Sequence, residues 1–85
     1  MRTPAPNPNA TVLIENHEGD WREELRYAIL SEGANFIVTA LHEVIVENGV
    51  LPERRERWTV YRGSALGCRK FCLENDIVPH LDYST

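Results

Sequence analysis

Residues 35–49, Asn-Phe-Ile-Val-Thr-Ala-Leu-His-Glu-Val-Ile-Val-Glu-Asn-Gly, constrain the fold more than any other stretch of the chain. Set on a helix that advances about 100° per residue, Phe36, Ala40, Val44, Ile37, Leu41, Ile45 and Val38 follow one another around the axis in that order. Together they cover an apolar arc of roughly 200°, against the roughly 100° or more of an ordinary surface helix. Thr39, His42, Glu43 and Glu47 share the remainder, with Val46 among them. The pattern predicts a central helix surrounded on most sides, by its own domain or by a second copy of the chain.

The neighbouring segments supply the rest of the expected architecture. Prolines 4, 6 and 8 deny helix to residues 1–9 and predict a disordered, solvated tail. Thr11-Val-Leu-Ile-Glu15 is rich in β-branched residues and reads as a short strand. Asp20, with Glu23 three residues on, resembles a capping box and opens an expected helix from Trp21 to about Ser31. Its inner stripe is Trp21, Leu25, Ala28 and Ile29, and Gly33 supplies a left-handed cap. The central helix stops at Asn48-Gly49. Leu51-Pro52-Glu53 starts a short turn, Trp58–Arg62 alternates as a second strand, and Ser64 caps a helix from Ala65 to about Asn75. The order is β-α-α-β-α, an α+β domain over residues 10–79 with a minimal two-stranded sheet around the central apolar helix. Residues 80–85 are expected as a loose C-terminal tail. The alternative is an all-α three-helix bundle with both strands demoted to loops.

A chain of 85 residues makes one domain and buries roughly 60–65% of its unfolded surface, a small core that self-association often supplements. The net charge is −4, which argues against a dedicated nucleic-acid binder, where a basic face is expected. Residues 1–50 hold eight acids against three arginines, whereas residues 51–85 hold six bases against five acids. Two cysteines four positions apart are no disulfide framework, and no run approaches the ~20 apolar residues of a membrane-spanning helix. With a proline-rich start unlike a signal peptide, the expected setting is cytoplasmic with reduced thiols.

Motifs that carry chemistry are weak. His42-Glu43 opens a His-Glu-x-x-His pattern, but the second imidazole is replaced by Val46. Cys68 and Cys72 fall one helical turn apart with Ala65 and Phe71, which favours core packing over a zinc pair shared with His80 or His17. No metal site and no cofactor is therefore expected. Arg69 falls within the apolar arc of the last helix, where its stem can lie along apolar surface while the guanidinium reaches water or a carboxylate, or where it can serve as an interface arginine. Arg54, Arg55 and Arg57, followed by Trp58 and Tyr61, mix basic and aromatic side chains as single-strand nucleic-acid surfaces do, diluted by Glu53 and Glu56.

The residues point to a non-catalytic protein-interaction or regulatory domain, working through self-association or a larger protein partner. Its expected contact residues are Phe36, Val38, Val46, Trp58, Tyr61 and Arg69. Two alternatives stand beside it. One is a nucleic-acid-binding module using the 54–62 segment. The other is an acidic inhibitor of the phage type that occupies a partner's nucleic-acid site.

Overall fold

The structure, a computed structural model, describes residues 9–84, and the expected disorder of residues 1–8 lies outside them. Six strands and one α-helix make up the described chain: β1 (Thr11–Glu15), β2 (Trp21–Glu32), β3 (Asn35–Val46), β4 (Gly49–Val50), β5 (Glu56–Gly63), α1 (Ala65–Glu74) and β6 (Leu81–Asp82). A single 3-10 turn, Pro52–Arg54, separates β4 from β5. All six strands belong to one mostly antiparallel sheet. The β-α-α-β-α order and the three-helix bundle are both overturned: the first two of the three segments read as helices are the two central strands.

The reason lies in how a two-faced strand looks on a helical wheel. Strands buried on both faces carry near-continuous apolar runs rather than alternation. In β3, Ile37, Leu41 and Ile45 face one side while Phe36, Val38, Ala40, Val44 and Val46 face the other, so an arc of roughly 200° is the trace of two apolar faces. Half of the strand's twelve residues are β-branched, which favours the pleated form. β2 pairs with β3 along its whole length, from Trp21↔Val46 to Glu32↔Asn35, without a bulge.

The expected helix cap at Gly33 is the turn of this hairpin. Glu32 pairs with Asn35 across a two-residue loop in which Gly33 has φ +59° and Ala34 does not have positive φ, as in a type II′ turn. A glycine with positive φ serves a helix end and a tight hairpin equally well. The turn was legible; the elements it joins were not.

On the outer side of β2 lie β1, paired with Arg22–Leu25, and β6, which runs parallel beside Ala28 and Ile29. On the outer side of β3 lie β4 at Ile45 and Val46, and β5 along Phe36–His42. Three expectations hold: the strand at 11–15, the strand at 58–62 (within β5) and the helix from Ala65. Ser64 accepts from the Gly67 amide at 3.0 Å as that helix's N-cap. Inside α1, Gly67 leaves room for Tyr61, whose hydroxyl oxygen lies 2.9 Å from where a Cβ would stand. Tyr61 in turn stacks on Phe71, ring centroids 4.9 Å apart.

The helix packs on one face of the sheet, with Ile29, Val38, Cys68 and Cys72 at the centre of the core. Residues 80–84, expected as a tail, are tied to β2. His80 and Tyr83 donate their backbone N–H groups to the carbonyls of Tyr27 and Ile29, at 2.8 and 2.9 Å.

Candidate interaction surface

Strand alternation divides β2 and β3 into two faces. The front face carries Trp21, Glu23, Leu25, Tyr27 and Ile29 from β2, opposite Val46, Val44, His42, Ala40 and Val38 of β3. The back face carries Arg22, Glu24, Arg26 and Ala28, opposite Ile45, Glu43, Leu41 and Thr39.

Helix α1 lies over the Ile29–Val38 end of the front face. Ten helical residues extend only about 15 Å, whereas twelve strand residues extend about 40 Å. The other end of the front face is therefore left uncovered. There Trp21, Glu23, Val44 and Val46, together with Leu51 and Arg54 from the connection before β5, line an open cleft of about 360 Å³. Trp58, opposite Ala40 on the same face, is 44% exposed, and Trp21 is 37% exposed. Between the two tryptophans His42 Nε2 lies 3.1 Å from Glu23 Oε1.

The back face holds a lattice of buried charge. Arg22, Glu24 and Glu43 are all buried, and Arg22 is paired with Glu24. Glu43 contacts Arg26 and, through its second oxygen, Arg55 at 3.5 Å. Arg62, from β5, pairs with Glu32 at 2.7 Å.

The expected contact residues do not gather on one surface. Val38 is fully buried, and Phe36 and Tyr61 pack around it beneath the helix. Arg69 pins the C-terminal segment: its Nε donates to Ser84 Oγ at 2.8 Å and lies 3.6 Å from Asp82 Oδ2. Val46 and Trp58 lie on the uncovered front face, Val46 in the wall of its cleft. The 54–62 segment is similarly divided. Arg54 lines the cleft, Arg55 turns to Glu43, and Arg57 and Trp58, as successive strand residues, project to opposite faces. Sequence reasoning missed Trp21 and Glu23 as residues that line the cleft. The signal for them was the period-two run Trp21, Glu23, Leu25, Tyr27, Ile29, outweighed by the helical spacing of Trp21, Leu25 and Ile29.

Cys68 and Cys72 are free thiols in the core, and burial pushes both above the ordinary thiol value. That leaves them as packing groups rather than nucleophiles. Among the described residues no group of three or more His, Cys, Asp or Glu side chains is placed to hold a metal ion, and no helix is long and apolar enough to cross a membrane.

The Asp82 carboxyl is held below its ordinary range. Hydrogen bonds from the Ser84 hydroxyl and amide are the main cause, helped by the nearby Arg69 guanidinium. A depressed native value means that this contribution to stability is present at neutral pH and is lost as pH falls through that value. Asp82→Asn should therefore loosen residues 81–84 at pH 7, and strong acid should do the same in the unsubstituted chain. The readout is hydrogen exchange at the Tyr83 amide, and protection equal to that of the unsubstituted chain would refute the pinning role.

No protein-family model matches the chain, no curated protein matches it, and no solved structure matches it.

Proposed function

We propose that this chain is a non-catalytic protein-interaction domain that acts by self-association through the uncovered end of its front face. The observation that supports it most is a sheet face longer than the helix that covers it, with Trp21, Val44, Val46 and Trp58 left on the open part. Apolar surface gathered around exposed tryptophans is the composition of binding hot spots rather than of ordinary surface.

The edges of the sheet argue for the face as the contact. The two longer outer strands, β1 and β5, each carry a register shift, at Val12/Ile14 and opposite Val38/Thr39. Bulges of this kind twist an edge away from further pairing. The other two flanking strands, β4 and β6, are only two residues long. Face-to-face packing, with sheets about 10 Å apart, remains available to the open end.

Sedimentation velocity across a wide dilution series tests the reading. A concentration-dependent dimer is expected, and Trp58→Glu should weaken it by tenfold or more, roughly the loss of one hot-spot residue. A chain that stays monomeric at the highest concentration would end the self-association reading.

A further inference from the structure

We propose that the cleft at the open end of the front face binds an apolar α-amino acid in its zwitterionic form. The cleft measures about 360 Å³, within the range of small-ligand sites, which begins at about 300 Å³. Trp21, Val44, Val46 and Leu51 supply apolar walls, and Glu23 and Arg54 are the two charged groups that line it.

That pairing of charges selects the ligand. A simple anion would meet Glu23, and a simple cation would meet Arg54. A neutral apolar molecule would strip water from both charges and return no partner to either. A zwitterion satisfies both at once, carboxylate toward the Arg54 guanidinium and ammonium toward the Glu23 carboxylate, while its side chain lies against Trp21 and the valines.

Both charged groups are prepared for this. His42 Nε2 holds Glu23 Oε1 at 3.1 Å and leaves Oε2 as the acceptor for an ammonium group. The Arg54 backbone is fixed by its N–H donating to the Leu51 carbonyl at 3.0 Å. Its guanidinium has no ion-pair partner among the described residues, in contrast to Arg55, which is drawn to Glu43. The inference does not rest on self-association.

The chain has two tryptophans, so Trp58→Phe leaves Trp21 as the sole indole reporter. Titration of that variant with L-leucine should give a saturable change in emission, and calorimetry on the unsubstituted chain, at concentrations where it is monomeric, should give the same affinity. N-acetyl-L-leucine, which lacks the ammonium, and L-leucinamide, which lacks the carboxylate, should each bind about tenfold or more weakly, as expected for losing one charge-assisted contact. Glu23→Gln and Arg54→Gln should weaken L-leucine binding by a similar factor without changing the thermal midpoint appreciably. No saturable signal by either method up to roughly 10 mM overturns the proposal, as does N-acetyl-L-leucine binding as well as L-leucine. Sedimentation of the unsubstituted chain, with and without L-leucine, separates this from the proposed function. A leucine-binding monomer keeps the inference and ends self-association, and a dimer indifferent to leucine does the reverse.

Discussion

Glu43→Ala is expected to destabilise the fold by about 3 kcal/mol, the scale on which removal of one partner breaks a buried ion pair. Glu43 is 2% exposed on the back face, and Arg26, its closest partner, is only 23% exposed, so water cannot replace the lost carboxylate cheaply. Arg26 Nε and Glu43 Oε1 already lack a partner of hydrogen-bond geometry, so the contact is one of charge against charge and Arg26 has little else to turn to. In a domain of this size the midpoint of thermal unfolding should fall by roughly 15 °C.

Two companion variants identify the cause. Arg55→Ala removes the other cation on Glu43, but Arg55 is half exposed, and its loss should cost under about 1 kcal/mol. Replacing Arg26 and Glu43 together by leucine should recover most of the loss, because an apolar pair leaves no charge stranded. Urea denaturation of the three variants is the measurement. A single Glu43→Ala variant within about 1 kcal/mol of the unsubstituted chain would show that the lattice carries no stability.

This lattice also explains much of what the sequence concealed. In a helix, Arg22, Glu23 and Arg26 read as a solvated side, and Glu43 reads as the polar edge of a buried rod. In the sheet, Arg22, Glu24, Arg26 and Glu43 share one face; Arg22 pairs with Glu24 along β2 and Arg26 with Glu43 across to β3, where register places Glu24 opposite Glu43. A period-two pattern with charges among its apolar positions loses the alternation that marks a strand. Pairing across strands is a tertiary fact that a linear reading does not contain.

Segments governed by local rules were legible. Ser64 caps α1 because its hydroxyl reaches an amide three residues on, a contact within one turn of chain. Thr11–Glu15 and the alternating run around Trp58 are strands on the outside of the sheet, where composition decides. Trp58 and Val46 were expected as contact residues, and the fold puts both on the front face. Trp21 was not, since a helix would have turned it inward beside Leu25 and Ile29.

The second large effect belongs to the core that joins helix to sheet. Ile29 is 1% exposed and packs with Val38, Cys68 and Cys72. Ile29→Ala should cost about 3–4 kcal/mol, lost transfer energy plus the cavity left between two rigid elements. Ile29→Val removes one methylene and should cost about 1 kcal/mol. Leu73→Ala, on the same helix but 78% exposed, should stay within about 0.5 kcal/mol. Because Ile29 sits directly opposite Val38 in the register, alanine at both positions should depart from additivity by at least about 0.5 kcal/mol, the behaviour of side chains that share one cavity. An additive double variant would therefore count against the antiparallel pairing of β2 and β3, and with it against the open front face on which both proposed activities depend.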